Sequence, residues 1–365
     1  VNADASNPHS LLAGWSDPPS EGGGQWTPDG RNYIFISKKT GSLWVLPEGR
    51  AWWFGRSAVP VQLTNGPIAF YDFSPSPDGK KIFAVGMLSR GELVRYDTAS
   101  RQFVPFLSGI SAGEASFSRD GNWVAYVSYP DNVVWRSRSD GTEKMQLTSP
   151  AWASTLPRWS PDGSRIAYIA TQWGKPWKIF VVPAQGGTPQ EILSESRSEV
   201  DVDWAPDGKH LVFGRISANS DAEPLAIEVV DLETRQMSAI ADSEGMFSPR
   251  WSPDGRYLTA MSSDSRQVFR FDFQTRTWSK WFETKEGIAG YPEWSDDSQF
   301  LYFTTYFTKN AALRRIRLGQ SESQLIMDLS NQRRFGSYWG AWTGVTPDGG
   351  GLFTRDVSTQ EIYAL

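Results

Sequence analysis

Any chemistry in this chain must come from carboxylates, guanidinium groups and hydroxyls, because it has no cysteine and only two histidines, His9 and His210. The lack of cysteine excludes disulfides, thiol nucleophiles and thiolate metal sites. Two histidines argue against a Ser-His-Asp arrangement and against a multi-histidine metal site. Residues 14–18 and 336–340 lack the order of a Gly-x-Ser-x-Gly nucleophile elbow. The sequence therefore predicts a protein that is not an enzyme and uses no metal or other cofactor.

Polar side chains recur at fixed places, one and three residues ahead of a repeated five-residue phrase. The nearer positions hold Gln25, Ser74, Ser116, Arg158, Asp203, Arg250, Glu293 and Gly344. The farther positions hold Gly23, Asp72, Glu114, Leu156, Asp201, Ser248, Tyr291 and Trp342. The residues between them are mostly apolar or proline. Since side chains alternate along a strand, the two sets are expected to share one face.

We predict that this face lines the mouth of a central channel and binds a ligand. The predicted binding residues are Arg158, Arg250, Asp201, Asp203, Glu293, Asp72, Glu114, Tyr291 and Trp342. Their mixed charges suit a polar or zwitterionic molecule. The alternative is that these polar side chains form ion pairs with one another and hydrogen bonds with water and bind no ligand. A wide channel must be polar whether or not it binds anything.

The repeated phrase reads Trp-Ser-Pro-Asp-Gly at residues 159–163 and 251–255, and we call it the signature. Further copies stand at residues 26–30, 75–79, 117–121, 204–208, 294–298 and 345–349. Successive signature aspartates are 42 to 51 residues apart, a period typical of four-stranded propeller blades. Proline presets φ, aspartate accepts backbone N–H bonds and glycine supplies a positive φ, so each signature predicts a tight hairpin.

The pattern predicts an all-β, eight-bladed β-propeller of four-stranded antiparallel blades, forming one domain over residues 1–365 with signatures near 26, 75, 117, 159, 204, 251, 294 and 345. The last signature is followed by one evident third strand, residues 361–365, and then the chain ends. We therefore expect a closing strand within residues 1–14, centred on residues 10–13, to complete the last blade. Seven blades is the alternative, because Pro75 and Val345 replace the signature tryptophan.

Two long segments interrupt the period. Residues 47–60 contain Trp52, Trp53 and Phe54, and residues 328–342 contain Arg333, Arg334, Phe335, Tyr338, Trp339 and Trp342. Long loops on a rigid scaffold often carry binding sites. The favoured interpretation here is that these aromatic side chains cover neighbouring blades.

Charge and composition limit the partners. A net charge of −5 with interspersed signs provides no basic footprint, so direct nucleic-acid binding is not expected. No stretch approaches the roughly 20 apolar residues of a membrane span. The start at Val1, without methionine or an apolar signal core, suggests a trimmed chain. We expect an extracytoplasmic (periplasmic or secreted) monomer that does not insert into the membrane.

The repeat also supports a resemblance. Eight Pro-Asp-Gly-type blades, the pattern x-W-S-P-D-G-x-x-I-A-Y and the run Gly186-Gly187-Thr188-Pro189 after a third strand resemble the TolB-like, WD-repeat-like propellers of bacteria, over nearly the whole chain. Those families include the periplasmic Tol-Pal propeller, the propellers of prolyl oligopeptidase and dipeptidyl peptidase relatives, and sensor propellers joined to winged-helix DNA-binding domains through a membrane span. The chain looks most like the sensor propellers.

The resemblance implies a non-catalytic binding or sensing module for a protein, a peptide or a small polar ligand, within a larger bacterial envelope or regulatory protein. Departures limit what carries over. TolB has six blades and a separate N-terminal domain, peptidase relatives need a hydrolase domain, and pectate-type lyases on similar propellers use histidine-rich metal sites. The alternatives are the propeller of a peptidase, a divergent lyase, and an engineered or structural scaffold.

Overall fold

The computed structural model describes residues 12, 15, 17, 19–47, 59–216 and 226–365. Within these ranges 31 strands form eight antiparallel sheets, seven with four strands and one with three, and there is no helix. The predicted all-β class and the eight sheets of a propeller are confirmed. Tertiary contacts divide the chain into two compact units. Unit 1 comprises Val1–Ser89 and Ser358–Leu365, and unit 2 comprises Arg90–Val357. The single domain over residues 1–365 stays a prediction.

The first half of the chain contains β1 (Pro19–Trp26), β2 (Asn32–Ser37), β3 (Leu43–Pro47), β4 (Val61–Gln62), β5 (Ile68–Pro75), β6 (Ile82–Leu88), β7 (Gly91–Asp97), β8 (Gln102–Pro105), β9 (Ala112–Phe117), β10 (Trp123–Ser128), β11 (Val133–Arg138), β12 (Met145–Gln146), β13 (Ala153–Trp159), β14 (Arg165–Thr171), β15 (Lys178–Pro183) and β16 (Gln190–Glu191). The second half contains β17 (Ser198–Trp204), β18 (His210–Ile216), β19 (Ile227–Asp231), β20 (Met237–Ala239), β21 (Met246–Trp251), β22 (Tyr257–Ser262), β23 (Gln267–Asp272), β24 (Thr277–Glu283), β25 (Ile288–Trp294), β26 (Phe300–Tyr306), β27 (Ala312–Arg317), β28 (Ser323–Asp328), β29 (Thr343–Val345), β30 (Gly351–Asp356) and β31 (Thr359–Ala364).

Unit 2 closes a ring of six sheets. Its innermost strands β9, β13, β17, β21, β25 and β29 are neighbours in that order, and β29 also contacts β9. Five sheets consist of consecutive strands. The sixth has the order β29-β30-β7-β8, so that Phe353 of β30 pairs with Val94 of β7. Strands from the two ends of unit 2 therefore complete one sheet.

This pairing corrects the predicted ring closure. The third and fourth places of the last sheet hold β7 and β8, whereas residues 10, 11 and 13 of the expected closing strand lie outside the described residues. The reason is burial, because Leu93 and Val94 are 1% and 0% exposed within unit 2. The strand predicted as the last third strand is β31, which pairs instead with β6 in unit 1 in the order β31-β6-β5.

The signature turns fold as predicted. In the turn at residues 159–163, the Ser160 hydroxyl donates to Asp162 Oδ1 over 2.6 Å, and the backbone N–H of Ser164 donates to the same oxygen over 3.0 Å. The serine hydrogen bond is the main reason why the pKa of Asp162 falls to about 2. Gly163 takes a φ of 70°, which favours glycine.

The signature tryptophans join neighbouring sheets of unit 2. The indole N–H of Trp159 donates to the carbonyl of Ser116 over 3.0 Å, and the indole of Trp204 does the same to Arg158 over 3.0 Å. The indole of Trp294 donates to the carbonyl of Arg250 over 3.2 Å. Each acceptor directly precedes the previous signature. The indoles therefore hold the backbone of Ser116, Arg158 and Arg250 in place.

A bulge breaks the alternation on which the two polar sets were assigned to one face. The register of β9, β13, β17, β21 and β25 slips by one residue against the next strand. At these bulges lie Glu114, Leu156, Asp201, Ser248 and Tyr291, with positive φ values of 48° to 55°. Because one extra residue changes which face a side chain occupies, the nearer and farther sets separate.

The segment after β28 packs against the sheets of unit 2, in agreement with the favoured interpretation. The Phe335 ring lies 4.5 Å from that of Tyr129, and Trp339 lies 5.2 Å from Trp177. The Tyr306 hydroxyl donates to the carbonyl of Ala341 over 2.5 Å. These contacts lie at the end of the ring where the innermost strands begin. In the other long segment, Trp52, Trp53 and Phe54 lie outside the described residues.

Candidate ligand site

A cavity of about 170 Å³ lies inside unit 2, at the end of the ring where the signatures turn; we call it the signature-end cavity. It is lined by residues directly ahead of five signatures and by residues of those signatures. The nearer-set residues are Ser116, Arg158, Asp203, Arg250 and Glu293. In ring order the innermost strands contribute a serine, a cation, an anion, a cation, an anion and, on β29, Gly344.

Arg250 is held by its neighbours. It is 2% exposed, forms an ion pair with Asp201 at 2.5 Å and donates to the carbonyl of Pro249 over 2.7 Å. Burial alone would lower its pKa, but Asp201 and Asp203 outweigh that effect and the pKa is raised. Asp203 accepts the backbone N–H of Trp251 over 3.0 Å, and burial raises the pKa of its carboxyl against the opposing effect of Arg250. Arg250 and Asp203 therefore have direct partners within the protein, although Arg250 Nε is buried without an acceptor.

Arg158 and Glu293 lack the direct protein partners that Arg250 and Asp203 have. Among the described residues, neither side chain forms an ion pair or a hydrogen bond, and Arg158 Nε is buried without an acceptor. Burial lowers the pKa of Arg158, and the nearby Arg250 lowers it further. Burial raises the pKa of Glu293, against the opposing effect of Arg158 and Arg250. The cavity therefore contains one cation and one carboxyl group without direct protein partners.

The cavity brings together four of the nine predicted binding residues: Arg158, Asp203, Arg250 and Glu293. Asp201 is not part of the cavity lining. It forms an ion pair with Arg250, which is, and accepts a hydrogen bond from the Ser248 hydroxyl. The other four lie elsewhere, and for Glu114 and Tyr291 the reason is the bulge, which turns their side chains away from the cavity.

Three of those four farther residues have structural contacts within unit 2. Glu114 is 1% exposed and accepts hydrogen bonds from the Thr155 hydroxyl and the backbone N–H of Leu156 on the next sheet. Trp342 belongs to a buried apolar cluster with Leu156, against which Tyr291 packs. The fourth, Asp72, is exposed in unit 1 and accepts the backbone N–H of Phe73 over 2.8 Å.

Two cavity residues escaped the sequence prediction. Arg119 and Asp296 are exposed and line the cavity from the third position of their signatures. Every other copy has proline at that position, including Pro161, Pro206 and Pro253 of the same lining. The signal was therefore present in the sequence, as the two charged departures from the repeat.

Gly344 leaves room for the Trp342 indole. A Cβ atom on Gly344 would lie 2.4 Å from Cζ2 of Trp342, which is 5% exposed. We expect Gly344→Ala to lower the free energy of unfolding by about 1–3 kcal/mol through overpacking. Gly336→Ala is the matched control, because its Cβ would meet no described atom within 4 Å. Equal urea midpoints for the two variants would contradict this close contact.

Comparison with known proteins places the fold in a family. Residues 55–292 match the family described as the lipoprotein LpqB β-propeller domain. The chain belongs to this family. The structure of a candidate TolB from Agrobacterium tumefaciens superposes with a TM-score of 0.58 at 19% identity, covering 73% of this chain and 98% of that one. At this identity the likeness shows the fold alone.

Two curated relatives share part of the LpqB-type propeller sequence. An uncharacterized peptidase of Bacillus subtilis, YuxL, is 23% identical over 215 residues, which are 55% of this chain and 30% of the relative. The chain thus matches less than a third of that protein. An uncharacterized protein of Agrobacterium fabrum is 24% identical over 255 residues, covering 66% of this chain and 84% of the relative.

Two further properties concern the described residues. They contain no group of three or more histidine, aspartate or glutamate side chains arranged to hold a metal ion. They also contain no helix with the length and apolar character of a membrane span.

Proposed function

We propose that this LpqB-type propeller is a non-catalytic binding module that takes a small polar ligand, or the charged tip of a larger one, into the signature-end cavity. The observation that carries the proposal is that one cavity contains Arg158, whose Nε is buried without an acceptor, and Glu293, whose carboxyl group has no direct partner among the described residues. Both side chains are half-buried, and a ligand of opposite charge would stabilise these partly desolvated groups. Arg250, Asp201 and Asp203 hold the opposite wall in place.

The size of the cavity supports a small ligand. At about 170 Å³ it is smaller than the roughly 300–1,000 Å³ pockets that enclose drug-sized molecules. A small molecule or a peptide terminus fits this volume. The lipoprotein named in the family description supports a place in the cell envelope, within a larger protein.

The competing function is that of a propeller domain attached to a peptidase, which the name of the B. subtilis relative favours. The two functions make different demands on the cavity. A binding site needs only complementary charge, whereas hydrolysis needs an activated nucleophile or water beside the bound substrate.

The test combines binding with turnover. We expect some amino acids, short peptides or sugar acids to raise the melting temperature, and Arg158→Gln to weaken their binding about 10- to 100-fold, since a hydrogen bond to a charged group contributes about 1.5–3 kcal/mol. Arg317→Gln, at an exposed arginine outside the cavity, is the control. Peptide anilides, esters and polygalacturonate should remain intact. Turnover that disappears in Arg158→Gln would instead identify an enzyme.

A further inference from the structure

We propose that the signature-end cavity selects the zwitterion of a free α-amino acid, with its carboxylate on Arg158 and its ammonium group on Glu293. This inference rests on the proposed function and names its ligand class. It follows from how charge is distributed around the ring of unit 2, which the repeat alone did not reveal.

One sector of the ring, from β25 through β29 and β9 to β13, has an acidic border and a basic border. Along the ring, Glu293 on β25 is followed by Gly344 on β29, Ser116 on β9 and Arg158 on β13. The two unpaired groups therefore flank a sector with small, uncharged residues. Arg250 and Asp203 stand on the remaining arc and already have partners. The ligand thus meets a carboxyl group at one border of this sector and a guanidinium group at the other.

The exposed charged residues of the lining, Arg119 and Asp296, follow the same charge order as Arg158 and Glu293. Asp296 follows Glu293 by three residues on the acidic side. Arg119, in the signature after β9, stands on the basic side. The β29 signature between them carries Pro347 at the corresponding position. Two layers of side chains therefore present negative charge from one side and positive charge from the other.

Only a ligand with both charges satisfies both unpaired groups. A simple anion would pair with Arg158 and leave the Glu293 carboxyl group without a direct partner, and a simple cation would do the reverse. Arginine offers a planar fork that binds a carboxylate through two hydrogen bonds. The cavity volume of about 170 Å³ has room for a small amino acid.

The experiment uses the whole chain and three related probes: L-alanine, N-acetyl-L-alanine, which lacks the ammonium group, and L-alaninamide, which lacks the carboxylate. The other protein amino acids are screened first by thermal shift, and the best of them replaces alanine if it binds more tightly. Calorimetry should show the amino acid binding at least 10-fold more tightly than either derivative.

The variants assign each charge to its residue. Arg158→Gln should abolish the preference for the amino acid over its amide, and Glu293→Gln should abolish the preference over the N-acetyl derivative. Arg119→Gln and Asp296→Asn should each weaken binding several-fold, with a smaller salt dependence. Arg317→Gln and Glu283→Gln, at exposed residues outside the cavity lining, should leave all three affinities unchanged.

The outcomes separate this inference from the proposed function. Equal binding of the amino acid and either derivative would overturn the zwitterion assignment. Failure of every amino acid to bind, while a short peptide or sugar acid binds in an Arg158-dependent way, would also overturn it and leave the binding module intact. If no probe of any class binds, both proposals fail, and the charged ring serves only to satisfy itself through water.

Discussion

Replacing Phe353 by alanine is expected to lower the free energy of unfolding of unit 2 by about 3–5 kcal/mol. Phe353 lies on β30, is 0% exposed and contacts the ring of Phe103 on β8 edge-on at 5.4 Å. It belongs to the same buried cluster as Val94 of β7. Because this sheet closes the ring, a cavity here weakens the join between the two ends of unit 2.

Urea unfolding followed by circular dichroism and tryptophan fluorescence measures the effect. Phe307→Ala is the matched control, since Phe307 is 88% exposed, and we expect it to change stability by no more than about 0.5 kcal/mol. If Phe353→Ala unfolded at the same urea concentration as the control, the packing between β30 and β8 would not stabilise the ring as described.

Replacing Lys178 by methionine should be about as damaging, because it breaks a buried ion pair. The side chains of Lys178 and Glu199 are 6% and 1% exposed, and the ammonium group also donates to the carbonyl of Glu195 over 2.7 Å. Glu199 accepts the backbone N–H of Ile179 over 3.1 Å. Removing one partner of such a pair costs about 3–5 kcal/mol, since the other charge stays buried without compensation. Lys178→Met/Glu199→Leu should recover part of the loss.

The stability of Lys178→Met should depend on pH through the protonation of Glu199. Burial raises the pKa of Glu199 above 4.5 even with Lys178 present, and loss of the cation should raise it further. The folded protein then holds the proton more tightly than the unfolded chain does. The resulting stabilisation is complete below the unfolded pKa and is lost as pH rises through the folded pKa.

The stability gap between Lys178→Met and the parent protein should therefore narrow as the pH falls from about 7.5 to about 5.5, measured by urea unfolding at each pH. The control is Lys280→Met, whose side chain is 51% exposed and pairs with Glu283 at 3.1 Å. It should change stability by about 0–1 kcal/mol with little pH dependence. A gap that widened on acidification would contradict a buried, uncompensated Glu199.

Local patterns predicted the hairpins, and four predicted binding residues from the nearer set line one cavity, for a physical reason. A signature turn depends on hydrogen bonds between residues a few positions apart, such as Ser160 and Asp162. The repeated phrase contains these residues and therefore predicts the turn. Arg158, Asp203, Arg250 and Glu293 directly precede these turns. Indole hydrogen bonds also hold the backbone carbonyls of Arg158 and Arg250. Their meeting in one cavity followed from the repeat.

The farther set and the ring closure depend on contacts that the repeat does not encode. A one-residue bulge placed Glu114 against Thr155 of the next sheet, although simple alternation predicted the channel face. Closure depends on the pairing of β7 with β30, in which Val94 lies opposite Phe353. These two residues are more than 250 positions apart in the chain. A local sequence pattern does not predict which distant strands pair.

The closing sheet also determines the order in which the chain can fold during synthesis. The two ends of unit 2 meet, because the backbone N–H of Val357 donates to the carbonyl of Arg90 over 3.0 Å. Along the chain, the residues of unit 2 stand between the two segments of unit 1. About 270 residues separate β6 from its partner β31. Because the ribosome adds roughly 5–20 residues per second, β31 is synthesised tens of seconds after β6. The ring is completed first, and the sheet begun earlier is finished last.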